Sequence, residues 1–279
     1  MNDRVVVLGG GTMGAGIAYV FALNGFHVEI IDPSSTSRES CSKTIKHVAQ
    51  RARERDLIDE SVREGTLDRI SINVDLADVA HQPMLLIEAV PEDPELKIAT
   101  LTRAQEHEPA ILATNTSSIS IAELARNLKS PEKFIGMHFF NPVWSNPLVE
   151  IVVGDATSED VIAETKRLID VIGKDSITVR DSPGFASSRL GVALGLEAIR
   201  MLGEGVASAE DIDRAMELGY RHPMGPLRLT DLVGLDVRLG IARNLARAYG
   251  SRFDPPQLLI DKVNSGELGK KTGRGFFDW

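Results

Sequence analysis

"VVVLGGGTMGAG", residues 5–16, runs from a β-branched apolar stretch through three consecutive glycines into a helix-forming segment. Its spacing is Gly9-x-Gly11-x-x-Gly14. The letters alone are a weak signal; a strand before them and a helix after them give the spacing meaning. Gly9 permits the tight turn, Gly11 lets the backbone approach a pyrophosphate, and Gly14 lets the helix pack close to the strand. The helix start offers unpaired N–H groups and a partial positive charge to phosphates. Gly10, Thr12 and Met13 belong to the same cofactor-binding turn. Asp32 closes the next strand, 18 residues after Gly14. A carboxylate there bonds a ribose 2′-OH and repels a 2′-phosphate, which predicts NAD rather than NADP.

Outward from this loop the pattern repeats. "RVVVLGG" (4–10), "HVEIID" (27–32), "ISINV" (70–74), "MLLIEAV" (84–90), "AILATN" (110–115) and "KFIGMHFF" (133–140) all read as strands. Several are apolar without alternation, as strands buried on both faces are. Helical stretches lie between them, for example 13–25 and 117–128. Strand–helix alternation predicts a Rossmann-type, doubly wound, mostly parallel α/β sheet. "LVEIVVG" (148–154) and "SITVRD" (176–181) add two strands at its edge. After "DSPGF" (181–185) no strong strand pattern follows. A long helix over 185–205, a second opening at Ser208 with a capping-box spacing to Asp211, and one long or two short helices over 226–250 remain. The expected organisation is a dinucleotide-binding domain at 1–181 and an all-helical domain at 182–279.

The composition bounds the rest. The chain has 279 residues, 43% of them apolar, a net charge of −9 and one cysteine, Cys41. It carries no apolar run near the ~18 residues of a membrane span and no signal-peptide order at its start. One cysteine excludes an intrachain disulfide and fits a reducing compartment, so the expected location is the cytoplasm. The negative charge argues against a broad nucleic-acid surface. No metal-ligand spacing is present.

"HFFNPVWSNPLVE", residues 138–150, places His138 and Glu150 twelve apart at the inner ends of two apolar runs. Oxidising an alcohol requires a base for the hydroxyl proton as hydride leaves carbon. A histidine with an ordinary pKa of ~6.5 suits this, and a carboxylate on its other nitrogen orients and stabilises it. A buried structural His–Glu bond is the bland alternative.

"LGGGTMGAGIA", "NTSSISI", "GMHFFNPV", "LVEIV", "DSPGF", "HPMGPLRLTDLVGLD" and "GKKTGRGFFDW" occur in the order and spacing of the 3-hydroxyacyl-CoA dehydrogenases. The chain resembles that family over nearly its whole length, most of all its bacterial 3-hydroxybutyryl-CoA members. The resemblance implies NAD as cofactor, oxidation of an L-3-hydroxyacyl-CoA to the 3-ketoacyl-CoA, and a helical C-terminal domain that forms a homodimer. It casts His138 as general base, Glu150 as its partner and Ser117 as the residue that bonds the substrate oxygen. Ser117 also stands where an N-cap for the following helix would fall. Asn115 and Asn141 match positions near the nicotinamide and its ribose, and Glu92, Lys97 and Lys271 match cofactor-contacting positions. Arg51 and Arg55, in the basic run 43–55, are candidates for the CoA phosphates.

Two features depart from the family pattern. Ser188 stands where an asparagine near the substrate carbonyl and the catalytic histidine is usual, and a serine offers one donor where the amide offers two. Asn146 and Pro147 replace a Met-Lys pair, beside Trp144, which is placed to narrow the acyl pocket. These put the substrate, not the reaction type, in question and leave open a dehydrogenase of a free 3-hydroxy acid or carnitine-like substrate. A non-catalytic NAD-binding protein on the same fold is a further alternative, because fold alone does not prove activity; the retention of His138, Glu150 and Ser117 together argues against it. Gly191 and Gly195, four apart in a helix, predict a close helix approach, within the domain or across a dimer.

Overall fold

The computed structural model describes residues 3–79 and 81–279. By contacts the chain divides into two compact units, Met1–Asp181 and Ser182–Trp279. In the first, β1 (Arg4–Leu8) leads through the glycine turn into α1 (Thr12–Leu23), β2 (His27–Ile31), α2 (Ser35–Glu54), α3 (Glu60–Asp68) and β3 (Ile70–Asn73). The chain then crosses to β4 (Leu85–Glu88), α4 (Pro94–Ala104), β5 (Ile111–Thr114), α5 (Ile121–Ala125) and β6 (Phe134–Phe139). Finally β7 (Leu148–Val153), α6 (Glu159–Val171) and β8 (Asp175–Arg180) complete an eight-stranded sheet of order β3-β2-β1-β4-β5-β6-β7-β8. Among the described residues, the β6–β7 pairing is the one antiparallel pairing of this sheet. The order reverses between β1 and β4, and a crevice opens at the carboxyl ends of such a pair.

The strands are where the apolar runs predicted them, seven of them shorter by one to three residues and β8 shifted one residue towards the N-terminus. Val5, Val7, Leu85, Ile87, Ile135 and Ile151 are fully buried and pack with Ile17 and Phe21 of α1 and Leu168 of α6. Burial on both faces explains why these strands show no alternation. The expected helix at 117–128 is a correction: only 121–125 is helical. Thr116 Oγ1, Ser117 N and Ser118 N all donate to Glu92 Oε1, which holds 116–118 in a non-helical loop. The N-cap is accordingly Ser120, whose hydroxyl accepts from Glu123 N, and not Ser117.

The second unit contains α7 (Ser187–Gly203), α8 (Ala209–Arg214) followed by a π turn at Ala215–Gly219, α9 (Pro226–Val233), α10 (Leu235–Tyr249) and α11 (Gln257–Asn264). Ser208 caps α8 by accepting from Asp211 N. The stretch 226–250 is two helices, broken at Gly234, whose φ of +103° favours glycine. Val192, Leu196, Ile199, Leu227, Leu239 and Leu259 form the core of this unit. Gly191 and Gly195 serve packing inside it: a Cβ on Gly195 would lie 3.0 Å from Thr230 Oγ1 of α9. No helix among the described residues is long and apolar enough to cross a membrane.

Candidate active site

The glycine turn has the geometry that its spacing predicts. Gly9 has φ +108°, and a Cβ there would meet Ala89 O at 2.7 Å. A Cβ on Gly14 would lie 1.8 Å from Gly9 O, so the first turn of α1 packs directly on the strand end. Around Gly11 there is nothing within 4 Å. The three glycines thus divide into two that the fold needs and one that leaves open space. Gly11 is the N-cap of α1 and no side chain caps it, so the first N–H groups of that helix remain available to an anion. Asp32, at the end of β2, accepts from Gly10 N at 2.7 Å and from Ser34 N at 2.9 Å. These residues fit a dinucleotide: open backbone for the pyrophosphate, and a carboxylate at the ribose end.

They line a cleft of about 980 Å³ in the first unit. Its lining includes Gly9, Gly11, Thr12, Met13, Asp32, Glu92, Lys97, Asn115, Ser117, His138 and Asn141, which brings most of the sequence-derived residues to one place. Gly10 and Gly14 support the turn from behind.

His138 and Glu150 are direct cross-strand partners in the antiparallel β6–β7 ladder. Opposed residues of a ladder stand close on the same face, so the hairpin itself brings the two side chains together. His138 Nδ1 lies 2.7 Å from Glu150 Oε2. His138 is 6% exposed and Glu150 fully buried. The Phe140 ring packs against the imidazole with centroids 4.4 Å apart. Lys174, just before β8, is buried and its Nζ donates to Val143 O and Asn146 O of the β6–β7 loop, both at 2.6 Å. Burial pulls its pKa below the ordinary lysine value. This ammonium ties down the loop that joins the dyad.

A second buried network stands across the cleft. Lys97 Nζ lies 2.6 Å from Glu88 Oε1, with Val90 O at 3.1 Å and Glu92 at 3.3 Å. Thr114 Oγ1 donates to Glu88 Oε2 at 2.7 Å. Desolvation raises the Glu88 pKa above its usual value against the pull of Lys97. At Glu92 desolvation also pushes upward, but the Thr116 hydroxyl, the Lys97 charge and the Ser118 and Ser117 donors outweigh it, and the net shift is downward. Glu92 Oε1 gathers Thr116 Oγ1, Ser117 N, Ser118 N and Ser118 Oγ, with Ser117 Oγ at 3.3 Å. Glu92 therefore sets the place of Ser117. Asn115 Oδ1 accepts from Phe139 N at 2.9 Å, one residue past His138.

Other expected residues lie elsewhere. Arg51 and Arg55 are exposed and do not line the cleft, and Arg55 is the C-cap of α2 rather than part of its face. Arg103, on α4, lines the cleft and lies 3.1 Å from Asp75. Lys271 pairs with Asp236 at 2.5 Å inside the second unit. Ser188 is half-buried in the first turn of α7. Trp144 is 38% exposed and stands near Gly16 of α1, outside the cleft lining. Sequence reasoning passed over Glu88, Thr116 and Lys174. The signal for Glu88 was present: a lone acid inside the apolar run "MLLIEAV" needs a buried partner.

A glycine cradle, a carboxylate after β2 and a histidine–carboxylate pair on one cleft define an NAD-linked oxidoreductase. The model of the 3-hydroxyacyl-CoA dehydrogenase NAD-binding domain matches residues 4–182, and that of the 3-hydroxyacyl-CoA dehydrogenase C-terminal domain matches 184–279. The chain belongs to the 3-hydroxyacyl-CoA dehydrogenase family. It is 40% identical to the probable 3-hydroxybutyryl-CoA dehydrogenase of Bacillus subtilis, over 99% of this chain and 97% of the relative. The 3-hydroxybutyryl-CoA dehydrogenase of Mycobacterium tuberculosis is also 40% identical, over 99% and 98%. The crystal structure of (S)-3-hydroxybutyryl-CoA dehydrogenase from Ralstonia eutropha superposes with a TM-score of 0.95 at 37% identity, covering 100% of this chain and 99% of that one.

Proposed function

We propose that the chain interconverts a short- or medium-chain L-3-hydroxyacyl-CoA, such as 3-hydroxybutyryl-CoA, and its 3-ketoacyl-CoA, with His138, Glu150 and Ser117 as the catalytic set. The observation that carries this is the 2.7 Å His138–Glu150 contact on the cleft that Gly11 and Asp32 also line. Nδ1 of His138 faces the carboxylate, so in the neutral ring Nε2 is the proton-accepting nitrogen. His138 takes the hydroxyl proton. Glu150 holds the ring and stabilises its charged form, and its full burial strengthens that interaction. Ser117, placed by Glu92, donates to the substrate oxygen. Asn115, Asn141, Lys97 and Glu92 border the cofactor, with Gly9, Gly10, Gly11, Thr12, Met13 and Gly14 at its phosphates and Asp32 at its ribose. NAD, when bound, supplies the hydride acceptor or donor. Ser188 stands at the substrate carbonyl, and the helical second unit carries a homodimer contact. The expected setting is the cytoplasm.

The test is NADH oxidation with acetoacetyl-CoA beside free acetoacetate and dehydrocarnitine at equal concentrations. Turnover of the CoA ester is expected to dominate. Turnover of a free acid with the ester inert overturns the substrate assignment. NADH binding without turnover of any of the three overturns the catalytic one.

A further inference from the structure

Glu88, the acid that ends β4, is fully buried, and both of its side-chain oxygens are occupied. Oε1 accepts from Lys97 Nζ at 2.6 Å and from Val90 N at 2.7 Å, and Oε2 accepts from Thr114 Oγ1 at 2.7 Å. Its backbone carbonyl accepts from Asn115 N at 2.8 Å. One residue thus ties together α4, the loop before it and the end of β5. Val90, Lys97 and Asn115 all line the cleft, while Glu88 stands behind them and does not.

Buried ion pairs are poor stabilisers, since apolar residues of similar volume often serve as well or better. Stability is therefore a weak account of the Glu88–Lys97 pair; placement is a better one. Lys97 is 1% exposed, and a buried ammonium needs an anion. Glu88 supplies it at 2.6 Å, which leaves Glu92 the more distant carboxylate, with Oε2 3.3 Å from Nζ. The other oxygen of Glu92 is then free for the neighbouring loop. Oε1 accepts from Thr116 Oγ1 at 2.6 Å, Ser117 N at 2.9 Å and Ser118 N at 3.0 Å. Without the Glu88 charge, Glu92 is the one carboxylate left to Lys97 among the described residues. The ammonium would close on it and draw it from the loop. That loop belongs to the reacting cavity. Ser117 and His138 line the same cleft. Asn115, whose N–H is held by Glu88, accepts through Oδ1 from Phe139 N, the residue after His138.

We propose that Glu88 is a positioning residue for the proton-transfer cleft: acting through Lys97 and Glu92, it fixes the 116–118 loop and with it the Ser117 hydroxyl. This rests on the proposed function, which gives the proton to His138 and the substrate oxygen to Ser117. The effect of Glu88 on the reaction is indirect, through the wall of the cleft.

The experiment measures kcat and KM for acetoacetyl-CoA, NADH affinity and the urea midpoint for the full-length wild type, Glu88→Gln, Ser117→Ala and the double variant. Glu88→Gln keeps the shape of the side chain and removes its charge. Misplacing a reacting group by about 1 Å costs up to about a hundredfold, so kcat per NADH-binding site should fall about ten- to hundredfold. NADH affinity should stay close to wild type, because Gly11 and Asp32 are untouched. In the Ser117→Ala background Glu88→Gln should lower kcat no further, since the hydroxyl it places is gone; residues that act through one another are non-additive in this way. A lower urea midpoint with kcat per site unchanged makes Glu88 a structural residue and overturns the inference. Losses that multiply in the double variant overturn it as well. Where Glu88→Gln does not fold, Lys97→Met takes its place: without the Lys97 charge to oppose desolvation, the buried Glu88 takes up a proton and stays neutral. Lys97→Met should show the same loss of kcat and the same non-additivity with Ser117→Ala, and multiplying losses there overturn the inference. If Ser117→Ala lowers kcat and Glu88→Gln does not, only this inference falls. If Ser117→Ala leaves kcat unchanged, the catalytic role proposed for Ser117 falls with it.

Discussion

Gly11→Ala and Gly14→Ala add the same methyl group three residues apart, and the structure assigns them opposite consequences. At Gly14 the new Cβ lies 1.8 Å from Gly9 O, 3.0 Å from Gly9 C and 3.4 Å from Val7 Cγ1. The first two are backbone atoms of the turn and have no rotamer by which to withdraw. The methyl group can be accommodated only by lifting α1 from β1. Overpacking typically costs about 1–3 kcal/mol, and a backbone contact this short belongs at the upper end. For a unit of this size each kcal/mol lowers Tm by about 2–4 °C, so Gly14→Ala should lose about 6–12 °C. At Gly11 nothing lies within 4 Å and φ is −69°, which alanine adopts freely. The loss of an N-cap glycine and the gain from a stiffer unfolded chain are each under about 1 kcal/mol and opposed. Its Tm should stay within about 2 °C of wild type. The methyl group there occupies the space assigned to the pyrophosphate, so NADH affinity should fall at least about tenfold, or 1.4 kcal/mol. Thermal unfolding without cofactor and titration of NADH fluorescence measure the two effects separately. Unchanged NADH affinity in Gly11→Ala, or a Tm loss equal to that of Gly14→Ala, would refute the division of the turn into a packed half and an open half.

Three further expectations concern groups around the cleft. Lys174→Met leaves Val143 O and Asn146 O without their buried donor and should cost about 1–3 kcal/mol in chemical denaturation; equal stability would show the loop needs no tie. Glu92 has a folded-state pKa below 4.5, so its contribution is full above pH 4.5 and is lost as pH falls through the depressed value. The Tm gap between wild type and Glu92→Gln should therefore narrow below pH 4.5, and a gap that stays constant contradicts the assigned hydrogen bonds. Cys41 is buried, and burial followed by the nearby Asp32 charge pushes its thiol to about 11. It should resist iodoacetamide at pH 8 when folded and react once urea unfolds the chain, whereas rapid labelling of the native protein would contradict its burial.

The glycine turn and the parallel strands were legible because each depends on local chemistry: glycine at special φ, apolar runs. The helix at 121–125 was overestimated because its upstream half is held by Glu92, a residue 24 to 26 positions away. His138 and Glu150 were visible as a pair, but only the β6–β7 register shows why they meet. Arg51 and Arg55 stand exposed at the end of α2, outside the cleft lining. The Glu88–Lys97 pair depends on packing between β4 and α4, which no local pattern records.

The most direct test of the central claim is the steady-state rate of NADH oxidation by acetoacetyl-CoA in wild type and His138→Ala, with NADH affinity measured alongside. Loss of a general base should lower kcat by about 10²–10⁴ while NADH binds as before, because the glycine turn and Asp32 are untouched. Unchanged kcat in His138→Ala would contradict the assignment of the His138–Glu150 pair as the proton-transfer centre.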